Sequence, residues 1–155
     1  MPIVLDNTLN QIRSIAASGD DRSAKAKRLA ERIQKLGDYR WAGVYDVGSE
    51  DVSIIAWSGP NPPEFPTFPA NKGLTGAAIE QKKSVNSSCV RNDPRYLMAF
   101  RSTVSEIIVP VLSPADGRVI GTVDVESERE NAFSARDQQM IEQCAQAALP
   151  IWLLR

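Results

Sequence analysis

The chain has 155 residues, 43% hydrophobic and 24% charged, with 18 basic and 19 acidic side chains and a formal net charge of −1. This length fits one domain whose core needs no disulfide or metal to hold it. The charge balance excludes the basic surface of a nucleic-acid binder, and no apolar run approaches the roughly 20 residues of a membrane span. The start, Met1-Pro2-Ile3-Val4, is not that of a signal peptide, so the cytoplasm is the expected compartment. Histidine is absent. Its absence removes Ser-His-Asp and Cys-His catalysis, histidine-ligated zinc or haem, and the usual general base near neutral pH. The two cysteines, Cys89 and Cys144, are too far apart for a Cys-x-x-Cys redox or zinc motif. No metal or cofactor is expected.

Two helices come first. Leu5, Leu9, Ile12 and Ala16 recur at helical spacing until Ser18-Gly19 breaks the pattern. Asp20 or Asp21 caps a second helix, whose Ala26, Leu29, Ile33 and Leu36 make one apolar stripe ended by Gly37. Its other residues include Arg22, Lys25, Lys27, Arg28, Arg32 and Lys35, expected to form a solvated face. The period then changes to two. Residues 40–47 and 52–58 read as a hairpin, with Trp41, Gly43 and Tyr45 on one face of the first strand. Five prolines between Pro60 and Pro69 leave room only for a short edge strand. A short helix over residues 73–83, a brief strand over 84–87 and a loop over 88–104 follow, the loop holding one helical turn around residues 96–100.

The clearest hairpin joins residues 105–112 to 118–127, with Ala115-Asp116-Gly117 as a three-residue loop and Pro114 opposite Arg118. In that register Ile107, Val109, Val111, Val119, Gly121, Val123 and Val125 share an apolar face that packs under the terminal helices. The opposite face carries Glu106, Ile108, Pro110, Leu112, Ile120, Thr122, Asp124 and Glu126. Glu106 then stands directly across from Glu126, with Asp124 one diagonal step away. Like charges opposed in a sheet are unfavourable. Two explanations fit: a solvated rim partnered by Arg91, Arg95, Arg101 or Arg129, or a pocket that receives a ligand ammonium, with Trp41 and Tyr45 as an aromatic wall. Ser134 to Asp137 is a capping box for a final helix whose Met140, Ile141, Cys144, Ala148 and Ile151 share one face, and Pro150 interrupts it near its exit. The fold class is α+β, with a central antiparallel sheet between terminal helices on one face and a pocket on the other.

Lys72-Gly73-Leu74-Thr75-Gly76, Ser105-Glu106-Ile107-Ile108-Val109-Pro110-Val111, Gly121-Thr122-Val123-Asp124-Val125-Glu126-Ser127, and Asn131-Ala132-Phe133-Ser134 with Asp137 together resemble a GAF domain over about residues 20–153. The resemblance implies a small-molecule-binding sensor whose ligand lies on the sheet face away from the terminal helices. Residues 20–155 are accordingly taken as the GAF domain and residues 1–19 as an N-terminal helix available for a dimer contact. Among such proteins, this one is similar to the stand-alone free methionine-(R)-sulfoxide reductases. That family's substrate pocket corresponds here to Trp41, Tyr45, Glu106, Asp124 and Glu126, with Thr75 in the turn that opens the short helix.

The same resemblance marks a departure. The reductase family places cysteines where this chain has Thr75 and Ala99, and a further one near Val85. Sulfoxide reduction needs an attacking thiolate and normally a resolving thiol. Cys89, beside Arg91, is the one candidate nucleophile, and Cys144 is expected among the apolar positions of the last helix. The expected function is therefore non-catalytic binding of an amino-acid-like or amine-bearing metabolite. The alternatives are a reductase using Cys89, or a dimerising module without ligand that pairs subunits through Leu5, Leu9, Ile12, Ile141, Cys144 and Ile151. A homodimer through the terminal helices is expected in any case, with neither nucleic acid nor membrane as a partner.

Overall fold

The structure, a computed structural model, describes residues 2–97 and 102–154, with side chains from residue 5 onward. Helices α1 (Pro2–Ala17) and α2 (Arg22–Leu36) lead into strands β1 (Trp41–Val47), β2 (Asp51–Ser58) and β3 (Thr67–Pro69), then α3 (Gly73–Gln81) and β4 (Val85–Ser87). Strands β5 (Ser105–Leu112) and β6 (Val119–Ser127) follow, and α4 (Ala135–Ala147) and α5 (Pro150–Leu153) close the chain. The six strands form one antiparallel sheet in the order β3-β2-β1-β6-β5-β4. The α+β architecture matches the expectation. A 3-10 turn at Val90–Asn92 interrupts the long loop. Tyr96 and Leu97 are not helical, and the rest of the turn expected there, with Ala99 and Arg101, falls outside the described residues.

One sheet face packs under α1, α2, α4 and α5. Ile12, Leu29, Ile33, Ile141, Cys144 and Ile151 are fully buried there against Val44, Ile107, Val123 and Val125. Four of the residues expected to pair two subunits (Ile12, Ile141, Cys144 and Ile151) are thus consumed by the chain's own core. Asp21 is the N-cap of α2 and accepts from the Ala24 N–H at 2.8 Å. Ser134 and Asp137 form both halves of the capping box of α4. The left-handed residue after α2 is Asp38 (φ 52°), whereas Gly37 is at φ −134°.

The basic residues of α2 do not form one solvated face. Lys25 is buried and its ammonium donates to the Ala16 carbonyl at 2.9 Å, capping the C-terminal end of α1. Arg22 spans Asp46 of β1 and the Ile151 carbonyl of α5. A lysine stem or a guanidinium plane can be covered by protein provided its charged end reaches an acceptor, and here both do.

The β5–β6 register is the expected one from Ser105↔Ser127 to Val111↔Gly121, after which Leu112 pairs with Val119 and Ile120 is the extra residue of a bulge. The Ser113 N–H donates to the Arg118 carbonyl at 2.7 Å and the Gly117 N–H to the Ser113 carbonyl at 2.8 Å. The loop is therefore the four residues 114–117, and Pro114 does not oppose Arg118. Gly117 does take the left-handed conformation, φ 74°. Because a bulge reverses the alternation, Val119 packs with Trp41 and Tyr45 on the pocket face while Ile120 joins the helix-side core. The sequence reading has these two residues the other way round.

Candidate ligand-binding site

The pocket face is assembled from four adjacent strands. Trp41 of β1 lies opposite Glu126 of β6, Gly43 opposite Asp124, and Tyr45 opposite Thr122. On the far side of β6, Glu106 of β5 lies opposite Glu126 and Ile108 opposite Asp124, while Ser87 of β4 lies opposite Glu106. The Trp41 and Tyr45 rings are 6.4 Å apart, tilted by 49°. They lean together over Gly43, where an added Cβ would come within 2.3 Å of the indole and 2.9 Å of the phenol. The missing side chain at residue 43 is what lets one strand present two large rings as a single wall. The Trp41 indole N–H donates to the Asn61 carbonyl of the proline-rich loop at 3.0 Å, fixing the ring from behind.

Glu106, Asp124 and Glu126 are all buried, 5%, 7% and 1% exposed, and each offers a carboxylate oxygen within 4.8 Å of the others. The solvated-rim explanation of the cluster does not hold. Arg95 pairs with Asp93 at 2.7 Å instead, and no salt bridge reaches the three carboxylates among the described residues. Burial raises Glu106 well above the usual carboxylate range, reinforced by the charges of Asp124 and Glu126 and by a hydrogen bond in which Glu106 holds the proton and Asp124 accepts. Burial lifts Asp124 to about 6, with that same hydrogen bond pulling the other way. Glu126 is also raised by burial and by Asp124, against the opposing Thr103 hydroxyl, which donates to it at 2.6 Å. Tyr45 is held neutral by burial and by the same three carboxyls. Asp124 Oδ1, Glu126 Oε2 and the Thr122 hydroxyl are buried without a hydrogen-bond partner.

Unpaired buried polar atoms of this kind each cost about 1–3 kcal/mol. No cation pairs with the three carboxyls among the described residues. Their oxygens suit a ligand that brings several N–H groups and positive charge, and their mutual spacing also fits a hard, oxygen-liking cation.

The enclosed space beside the carboxylates is about 30 Å³, room for one or two water molecules. Tyr45, Glu106, Asp124 and Thr75 line it, with Gly73, Leu74 and Phe68. Its rim is Phe65 and Leu97, 38% and 37% exposed, two of the few large apolar side chains at the surface. The enclosed volume is smaller than an amino acid, so a ligand of that size requires the lining side chains to shift. Thr75 is buried and sits in the first turn of α3, where backbone N–H groups have no partner within their own helix and favour an anionic group. That turn closes tightly over the Asn71 backbone, whose carbonyl carbon is 2.6 Å from where a Gly76 Cβ would stand. A wide open groove of about 1100 Å³ along the outer side of α3 shares Gly73 and Leu97 with the pocket.

Of the residues named from sequence, Tyr45, Thr75, Glu106 and Asp124 line the enclosed space; Trp41 and Glu126 flank it, through Tyr45 and Asp124. Cys89 is half-buried and is not among the lining residues, and Cys144 lies on the opposite sheet face, its thiol pushed up to about 12 by burial. Thr103, Phe65, Phe68 and Leu97 were not legible in advance. Only Phe68 had a local signal, an apolar residue inside the expected edge strand.

The profile of the GAF domain family matches residues 21–149. The chain belongs to the GAF domain family. Among curated relatives of this GAF domain, GAF domain-containing protein A of Dictyostelium discoideum is 24% identical over 139 residues, covering 89% of this chain and 85% of that protein. The free methionine-R-sulfoxide reductase of Saccharomyces cerevisiae is 28% identical over 109 residues, 70% of this chain and 60% of that one. The structure of free methionine-R-sulfoxide reductase from Neisseria meningitidis in complex with its substrate superposes with a TM-score of 0.85 at 26% identity, covering 96% of this chain and 88% of that chain. This GAF domain is thus similar to both GAF-domain proteins and free methionine-R-sulfoxide reductases. No described helix is long and apolar enough to cross a membrane.

Proposed function

We propose that this GAF domain binds a small amino-acid-like molecule through its ammonium group and does not transform it. The observation that carries the reading is the buried trio Glu106, Asp124 and Glu126, with acceptor oxygens left unpaired beside the Trp41–Tyr45 wall. A primary ammonium supplies three donors and the positive charge the trio lacks. The first turn of α3, at Thr75, faces the same space and suits the ligand's carboxylate. Similarity to reductases of a free amino-acid sulfoxide supports the ligand class.

The case against turnover is chemical. The chain has two cysteines; Cys144 is buried on the other sheet face and Cys89 does not line the pocket. Neither is placed to attack a sulfoxide and be resolved by the other. The reductase similarity favours one second reading, a reductase working through Cys89.

Thermal shift and calorimetry with both epimers of methionine sulfoxide, free amino acids and small amines test the binding. A ligand at about 100 times its Kd adds roughly 2.7 kcal/mol. An amino acid should raise the melting temperature, and Glu106→Gln should lose that rise while keeping a native circular dichroism spectrum. A flat screen, or unchanged affinity in Glu106→Gln, rejects the reading. An NADPH-coupled thioredoxin assay with the sulfoxide decides the reductase alternative, since turnover that disappears in Cys89→Ser would establish it.

A further inference from the structure

The pocket wall is tied to the C-terminal helix through the sheet. Trp152 of α5, 1% exposed on the helix side, donates its indole N–H to the Tyr45 carbonyl at 2.8 Å. It reaches that carbonyl because β6 carries Gly121 at the point of crossing. A Cβ there would stand 1.9 Å from the indole nitrogen and 2.3 Å from its neighbouring ring carbon, so the indole occupies the volume of the absent side chain. Gly121 pairs with Asp46, the residue after Tyr45. Asp46 in turn holds Arg22 at 2.7 Å, and Arg22 donates to the Ile151 carbonyl at 3.0 Å. Two consecutive residues of α5 are therefore fastened to two consecutive residues of β1.

The fastening falls at an irregular place in the sheet. The β1–β2 register shifts between Val44 and Tyr45, with Tyr45 paired to Ile54 and Val44 to Ala56. The bulge loosens the β2 side only, since pairing with β6 runs on through Tyr45↔Thr122 and Asp46↔Gly121, and the Trp152 N–H adds a hydrogen bond to Tyr45 there. The phenol ring of the same residue lines the carboxylate pocket on the other face.

We propose that Trp152 is a positioning residue for the pocket: by holding the Tyr45 carbonyl from the helix side, it sets where the Tyr45 ring stands against the carboxylates, and occupancy of the pocket is felt in return at α5. The inference rests on the binding reading above.

The experiment uses the full chain, L-methionine (R)-sulfoxide as probe, and four proteins: wild type, Trp152→Phe, Ile141→Val and Glu106→Gln. Trp152→Phe keeps an aromatic ring against Gly121 and removes the N–H. Ile141→Val loosens the same helix-side core away from Tyr45. Trp152→Phe should bind the probe five- to tenfold more weakly, while Ile141→Val lowers the melting temperature and leaves Kd unchanged. In the wild type, the indole N–H resonance of Trp152, assigned by sequential connectivities, should move on saturation with probe, and should not move in Glu106→Gln. This resonance decides the matter even if Trp152→Phe fails to fold. Wild-type binding with an unmoved resonance, or equal Kd in wild type and Trp152→Phe, overturns the inference and leaves the pocket reading intact. No binding by the wild type of this probe or of any amino acid or amine in the thermal-shift screen overturns both.

Discussion

Glu106 and Glu126 face each other directly across the β5–β6 ladder, and both are buried. A sheet gains nothing from two like charges so placed, and an apolar pair would fill the site at lower cost. Burial and the neighbouring carboxyls push Glu106 and Glu126 upward toward their neutral forms, which eases the repulsion.

Stability should therefore depend on pH with an unusual sign. Carboxyls whose values are raised on folding stabilise the native state below the ordinary carboxylate range near pH 4. That contribution is lost as pH rises through about 6 for Asp124 and through the raised values of Glu106 and Glu126. The melting temperature of wild type minus that of Glu106→Gln should fall between pH 4.5 and 7.5. A difference that stays constant over this interval contradicts the protonated cluster.

Ligand affinity should run the opposite way. An ammonium is held best by an ionised trio, so its binding releases protons and tightens from pH 5 to pH 7. Calorimetry in buffers of different ionisation enthalpy measures the protons released; zero release at pH 6 would exclude this coupling.

Gly43→Ala should disrupt the aromatic wall. Its methyl group meets rigid rings at 2.3 and 2.9 Å, and overpacking of this kind typically costs about 1–3 kcal/mol. Denaturant unfolding should report that loss, together with weaker ligand binding as the two rings part.

Cys89→Ser should leave amino-acid binding unchanged, since Cys89 does not line the pocket. A Kd shifted more than about threefold by titration calorimetry, roughly 0.7 kcal/mol by the usual conversion, would contradict a pocket that Cys89 does not line.

Ser134→Ala removes the side chain that receives the Asp137 N–H at 3.1 Å at the start of α4. The expected cost is about 1 kcal/mol in urea unfolding, with no effect on ligand affinity because α4 lies on the other sheet face.

The register that brings Glu106 to Glu126 was legible because strict alternation between two strands and a glycine-containing turn leave few choices. The same logic failed at Val119 and Ile120. Both are β-branched and apolar, so either suits either face, and nothing local announces a bulge. Lys25 was misplaced for a related reason: spacing along α2 puts it near the charged residues, while the carbonyl it caps belongs to α1. Closeness of the trio to Tyr45 was legible from strand faces. The Phe65–Leu97 rim was not, because it joins the proline-rich loop to the loop before β5, and no periodicity links them.

The two outermost strands are β3 and β4, three residues each. Pro69 ends β3 with a residue that has no N–H to offer, and Pro66 precedes it. On the exposed stretch of β2 beyond β3, Lys27 occupies the Trp57 carbonyl at 2.6 Å. On the β2–β3 side the sheet thus gives an incoming strand little backbone to grip, which works against edge-to-edge pairing of chains there.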